Sequence, residues 1–211
     1  MDPQSTYDRI ADHFAATREY AWPEVTTFLE DRTTDRALDI GCGNGRHTEL
    51  LAARARLAVG VDLSRGLLDA AVARARERGF ADATGFVHGD AARLPIATDA
   101  VGLATYVATL HHLSPRAARV ASLSELSRVL RPGGAGLVSV WSTAHDRFDR
   151  ETGFDTTVDW TLPGGETVPR YYHIYDPDEF AADLAASYLV IEDVTVSSGN
   201  CYAVVHPQPK E

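Results

Sequence analysis

The chain has 211 residues, 45% of them hydrophobic, and a formal net charge of −10. That length suits one domain with an ample core; no apolar run is long enough to span a bilayer, the polar stretch Met1 to Ile10 is unlike a secretory leader, and the two distant cysteines, Cys42 and Cys201, offer neither a disulfide framework nor metal-ligand spacing. The expectation is a reduced, cytoplasmic location.

The net charge argues at first against a nucleic-acid partner. However, Lys210 is the only lysine and every other basic side chain is arginine. An acidic surface nearly free of lysine is what salt adaptation would produce, and under strong screening only short-range contacts select a partner.

In chain order, residues 4–20 have helical periodicity, with Tyr7, Ile10, Ala11 and Phe14 on one face. Trp22-Pro23 breaks it, and residues 24–30 read as a second helix, so that residues 1–31 form a helical lid. Residues 35–40 predict a first strand, which runs into the turn Gly41-Cys42-Gly43-Asn44-Gly45 and a helix over 45–55. A second strand at 57–61 and a helix over 65–78 follow, then a third strand at 84–88. Arg93-Leu94-Pro95-Ile96 leads to a fourth strand at 101–109, and Ser114-Pro115 reads as the cap and first position of a helix to about Leu130. Arg131-Pro132-Gly133-Gly134 turns into a fifth strand at 135–141. Residues 142–172, rich in turn formers, read as an irregular insertion on the ligand side of the sheet. Asp176-Pro177 starts another helix, strands at 189–196 and 200–205 close the chain, and the tail from His206 to Glu211 reads as frayed.

The glycine turn carries the first functional signal. Glycines let a backbone approach a ligand closely, and the dinucleotide pattern would be G-x-G-x-x-G. Here the loop is G-x-G-x-G, followed by Arg46, with Asp39 two residues before Gly41. A carboxylate there repels a pyrophosphate and attracts an ammonium group, which favours S-adenosylmethionine over a nicotinamide dinucleotide, although an NAD-linked oxidoreductase stays as the rival from another enzyme class. Asp62 ends the second strand and is placed to accept ribose hydroxyls; Leu63 is placed to cover the adenine, and Asp90, next to Ala91, to accept from its amino group. Acids at the carboxyl ends of successive strands lie where open α/β sheets bind ligands.

This set of residues resembles the cofactor motifs of class I S-adenosylmethionine-dependent methyltransferases. The resemblance implies a Rossmann-like α/β fold with a seven-stranded sheet of order 3-2-1-4-5-7-6, its last strand antiparallel. Many relatives carry an Asp at the start of the fourth strand, where this chain has Gly102. The N-terminal run Tyr7-Asp8-x-Ile10-Ala11-x-His13-Phe14-x-x-Thr17-Arg18-x-x-x-Trp22-Pro23, with Trp141 and Arg170-Tyr171-Tyr172-His173, is more specific. It resembles the tRNA wobble-uridine carboxymethyl methyltransferases, which methylate the carboxylate of 5-carboxymethyluridine in the anticodon loop. The resemblance implies a substrate site of Arg18, His112, Trp141, Arg170 and Tyr171. Arg18 or Arg170 would hold the carboxylate, His112 would donate to a substrate oxygen, Trp141 or Tyr171 would stack on the base, and His111 would be structural. It also implies a small zinc-binding activator subunit pairing at the edge strand 84–88. A small-molecule methyltransferase of the same fold is the alternative.

Overall fold

The computed structural model describes residues 2–209. Seven strands form one sheet: β1 (Thr34–Ile40), β2 (Ala55–Asp62), β3 (Thr84–His88), β4 (Val101–Val107), β5 (Leu130–Trp141), β8 (Leu189–Ser197) and β9 (Asn200–Pro207). Their order is β3-β2-β1-β4-β5-β9-β8, parallel except that β9 runs antiparallel to both of its neighbours. This is the expected order, with the last two numbers raised by an additional hairpin. Residues 206 and 207, expected to fray, belong to β9; the rest of the expected frayed tail includes residues 210–211, which lie outside the described residues.

Every residue of the central strand β4 is buried, as a strand covered on both faces requires. On one face, Leu38, Ile40 and Tyr106 pack with Leu123 and Leu126 of helix α5 (Arg116–Val129) and Phe180 of α6 (Pro177–Ala185). On the other, Ala37, Leu103 and Leu137 pack with Leu51 of α3 (Arg46–Ala52) and with Val25, Phe28 and Leu29 of α2 (Pro23–Leu29). The second segment of the expected lid is thus part of the core. Only α1 (Pro3–Ala16) crosses the ligand end, where it packs on α4 (Arg65–Glu77).

Several boundaries differ from the sequence reading: α1 ends at Ala16, α3 at Ala52 and β4 at Val107, each earlier than expected. β5 begins at Leu130, five residues early, and pays for this with a register shift against β4 between Val101 and Leu103. Pro115, not Ser114, caps α5. The larger difference is the segment 142–172, which is not irregular. It contains a hairpin of β6 (Phe154–Thr161) and β7 (Thr167–Ile174), paired antiparallel. Its turn needs Gly164 and Gly165, at φ of 102° and 89°, where L side chains are strained. Pro169 is tolerated because both strands of a two-stranded sheet have a free edge. Polar residues fill the wet face, so the apolar signal was thin, yet Val158 and Trp160 of β6 and Val168, Arg170 and Tyr172 of β7 alternate inward.

Candidate active site

A cavity of about 490 Å³ opens at the carboxyl ends of β1, β2 and β4, beneath α1. Ligand pockets usually fall in this size range. Its floor is the glycine turn. Gly41 has φ of 67°, and a Cβ on it would sit 2.2 Å from Thr109 Oγ1, so no other residue fits. Gly43 N–H donates to Asp62 Oδ2 at 2.8 Å and Ser64 N–H donates to Asp62 Oδ1 at 2.9 Å. Each Asp62 oxygen therefore shapes the loop with one lone pair and keeps another toward the cavity. Burial pushes the Asp62 carboxyl pKa up. Leu63, Asp90 and Ala91 line the same end, and Asp90 holds its own turn by accepting from Ala92 N–H at 2.8 Å.

Asp39 departs from its expected role. It is buried behind the loop, outside the cavity wall, and accepts from Thr48 Oγ1 at 2.7 Å and Thr105 Oγ1 at 2.8 Å. Burial raises its pKa to about 6. Buried and outside the lining, Asp39 acts on the cavity through the loop it braces.

The other end is aromatic and cationic. Arg18, Arg46 and Arg170 line it, and none has a carboxylate partner among the described residues. Arg170 is 7% exposed, with a buried Nε that has no hydrogen-bond partner. Its guanidinium lies 5.1 Å from the Tyr172 ring centroid. Burial lowers the Arg46 pKa to about 10; this side chain lies 5.7 Å from the Trp22 ring. Arg18 is lowered as well, by burial and then by the charge of Arg170.

His112 has a defined tautomer. Its Nδ1 lies 2.9 Å from the Tyr171 carbonyl, which only accepts, so Nδ1 donates. Burial lowers its pKa to about 4, leaving Nε2 bare at neutral pH. Nε2 then accepts from the Tyr7 hydroxyl at 2.8 Å. The expected donation from His112 to a substrate oxygen is therefore not available; the ring fixes Tyr7 instead. Burial pushes the Tyr7 phenol well up, so it stays protonated.

Of the two residues expected to stack, Trp141 lines the cavity, 4.8 Å from the Tyr172 ring. Tyr171 does not reach this cavity. It points to the other face of β7, where its hydroxyl donates to Asp155 at 2.8 Å. Tyr172 takes the inward place, because strand side chains alternate and Arg170 already faces in. That alternation is the signal the sequence reading passed over. His111 is buried and stacks on Tyr172, and its Nδ1 accepts from Trp141 N–H at 3.1 Å. Tyr7 and Trp160 were not singled out as site residues, and Trp160 had no local signal, since only the hairpin brings it to α1. Gly102 sits at the far end of β4, beside Thr34 and Arg131, and bears on packing alone.

Residues 37–134 match the methyltransferase domain family. A candidate methyltransferase of Encephalitozoon cuniculi is 35% identical over 177 residues, covering 80% of this chain and 78% of that protein. The chain is a class I S-adenosylmethionine-dependent methyltransferase. The Saccharomyces cerevisiae tRNA (carboxymethyluridine(34)-5-O)-methyltransferase is 31% identical over 172 residues, which is 78% of this chain and 58% of the yeast protein. Among solved structures, the CcbJ methyltransferase of Streptomyces caelestis aligns with a TM-score of 0.79 at 18% identity, over 99% of this chain and 100% of that one. A candidate methyltransferase in complex with the Haloferax volcanii Trm112 methyltransferase activator aligns with a TM-score of 0.74 at 13% identity, over 100% of this chain and 99% of that one.

The residues at the first end of the methyltransferase cavity fit this cofactor. It carries hydroxyls and an exocyclic amine, which need acceptors, and no phosphate, which would be repelled by Asp62 and Asp90. The spare lone pairs of Asp62 suit the ribose hydroxyls, Asp90 suits the amine, and the bare Gly41–Gly43 backbone leaves room for the amino-acid arm.

Proposed function

We propose that this methyltransferase esterifies the carboxylate of 5-carboxymethyluridine at the wobble position of tRNA. The observation that carries this reading is Arg170: a buried guanidinium with an unpartnered Nε and no carboxylate neighbour, facing the cavity beside Arg18. An uncompensated buried charge is costly, and a fork of N–H donors matches a carboxylate. The substrate carboxylate would supply the missing countercharge. The named activity of the yeast relative supports the same substrate.

The chemistry follows from the groups present. A carboxylate with a pKa of about 4 is ionised at neutral pH and needs no general base. This agrees with a site where His112 Nε2 is already occupied by Tyr7. Held by Asp62, Asp90 and the Gly41–Gly43 turn, the cofactor would supply an electrophilic methyl carbon on a sulfonium, whose C–S bond would break as the carboxylate oxygen forms the C–O bond of the ester. The protein's part is alignment and exclusion of water. Arg18 and Arg170 orient the anion, α1 and the hairpin cover it, and Trp141 and Tyr172 offer flat faces for a splayed base.

The tRNA anticodon loop is the macromolecular substrate in this reading, the cytoplasm its site of action, and a small zinc-binding subunit its partner. For the partner, β3 ends the sheet with one edge unpaired, a surface that accepts another strand. A fold neighbour occurs in complex with the Trm112 methyltransferase activator.

The deciding experiment incubates the chain with tRNA and S-adenosylmethionine, alone and with small zinc proteins, and analyses the nucleosides by mass. The expected product is the methyl ester of carboxymethyluridine, lost on Arg170→Ala. Cofactor binding without any tRNA product under every partner would overturn the reading and leave a methyltransferase of small molecules.

A further inference from the structure

Arg18 and Arg170 come from parts of the chain far apart in sequence, one after α1 and one on β7, and they carry like charges. What they share is Trp160 of β6. The Arg18 guanidinium carbon lies 5.0 Å from the Trp160 ring centroid and that of Arg170 lies 4.9 Å from it. The two cations are therefore held within the sum of those distances of each other. Trp160 is 8% exposed and is not part of the cavity wall; it lies behind the two arginines. Its own orientation is fixed, since its indole Nε1 donates to His13 Nδ1 at 3.0 Å, and Phe14 packs 5.5 Å from its ring.

An indole face attracts a guanidinium without accepting its N–H groups along lone pairs. It thus steadies each cation without taking up its remaining N–H donors; Arg18 Nη1 gives one to the Thr17 carbonyl at 3.2 Å, and Arg170 gives one to the Tyr7 hydroxyl. An Asp or Glu in the same place would pair with the arginines and remove them from use. Around them stand the neutral phenols of Tyr7 and Tyr172 and the neutral His112; of the three cavity acids, Asp62 and Asp90 belong to the cofactor end, and Asp2 caps α1 by accepting from the Gln4 and Ser5 N–H groups.

We infer that Trp160 is the positioning residue that sets acid specificity: by backing both Arg18 and Arg170, it makes two mutually repelling side chains into one clamp for a substrate carboxylate and against its neutral amide. This deepens the carboxylate reading and depends on it for the identity of the nucleoside, though not for the clamp itself. Trp160 touches no reacting atom. It acts through the arginines, and α1 contributes to the clamp because His13 holds the indole.

The test uses the full chain loaded with S-adenosylhomocysteine and two probes, the free nucleosides 5-carboxymethyluridine and 5-carbamoylmethyluridine, titrated by calorimetry. The wild type should prefer the acid by about tenfold or more, the scale of one charge-assisted contact. Trp160→Phe, which keeps a flat ring, should retain most of that preference. Trp160→Leu should bring it to about twofold or less, with S-adenosylhomocysteine affinity unchanged, a split that general loosening of the fold would not give. A Trp160→Leu protein that still prefers the acid tenfold would overturn the inference. If Trp160→Leu fails to fold, His13→Leu, which frees the indole, should lower the preference severalfold, and an unchanged preference there would overturn the inference equally. A parallel arm removes the nucleoside from the question. In a Trp22→Phe, Trp141→Phe protein, Trp160 is the sole tryptophan, and acetate at constant ionic strength should shift its fluorescence only while Arg18 and Arg170 are present. Acetate response without nucleoside binding would uphold the clamp and remove the wobble nucleoside as its substrate; response to neither would overturn the clamp.

Discussion

The two ends of the cavity are built on opposite plans. The cofactor end is made of short contiguous motifs at the tips of β1, β2 and β3. Its charges are carboxylates, and each is already partly engaged by backbone N–H groups or threonines, as with Asp62 and Asp39. The substrate end is assembled from α1, the 3-10 turn Leu110–His112, β5 and the β6–β7 hairpin. Its charges are guanidiniums left without carboxylate partners and backed by rings. The difference teaches how a fold can keep one ligand and change another. The half that is closed by its own hydrogen bonds is self-sufficient, whereas the half with unmet electrostatics is completed by what it binds.

The largest expected effect tests that contrast directly. Arg170→Gln should lower kcat/KM for the acid substrate roughly 100-fold or more, the range for removing one partner of a buried charge pair. Cofactor affinity, measured by calorimetry, should stay within about twofold of wild type, below the size of one lost hydrogen bond. Equal losses of both would break the division of the cavity into two halves.

Asp62→Asn is the converse. The amide turns an N–H toward the Gly43 or Ser64 N–H, so S-adenosylhomocysteine affinity should fall about 10- to 100-fold, with the preference for acid over amide nucleoside intact. Unchanged cofactor affinity would break the assignment of that end.

A smaller effect concerns stability. The Asp39 pKa is raised from 3.8 to about 6, so its folded form binds a proton more tightly than the unfolded chain does. The associated stability is present below the unfolded value and is lost as pH rises through about 6. Asp39→Asn keeps a hydrogen bond to each threonine and carries no charge. It should therefore be more stable than wild type at pH 8, by up to about 3 kcal/mol on linkage grounds, and the advantage should vanish near pH 4; urea melts at the two pH values read this. For His112 the shift is downward, so the neutral ring persists until pH falls to about 4, and methyl transfer should show no titration of His112 between about pH 5 and 8, read by comparing the pH profile with that of His112→Gln.

The smallest effect sharpens the register of β7. Tyr171→Phe removes one hydrogen bond to an exposed Asp155 and should change kcat/KM by about twofold at most. Tyr172→Leu, on the cavity side, should reduce it by tenfold or more, the scale of a lost aromatic contact with a ligand. The reverse ranking would place Tyr171 in the site.

Most of the sheet and its cofactor end were legible from the chain alone. A parallel βα unit leaves a local record, an apolar run, a glycine turn with one acid, then a periodic helix, because each part is formed by neighbours in sequence. Gly41, Asp62, Leu63, Asp90 and Ala91 could be named from that record, and they do line the cavity. Arg18, Arg170 and Trp141 were named from resemblance and also line it. What tertiary structure decided was relational. The hairpin was hidden because one wet face and a glycine turn dilute the strand pattern in a segment of only two strands. Its register put Tyr172 inward and Tyr171 outward. A carbonyl from β7 chose the tautomer of His112 and so changed it from a donor to a brace for Tyr7. Two threonines, one of them on β4, donate to Asp39 behind the cavity wall. Trp160 became the shared backing of two arginines only when a hairpin and a helix far apart in sequence met. Local sequence determines which groups are available; which of their hydrogen bonds and charges stay open is settled by the partners that folding brings to them.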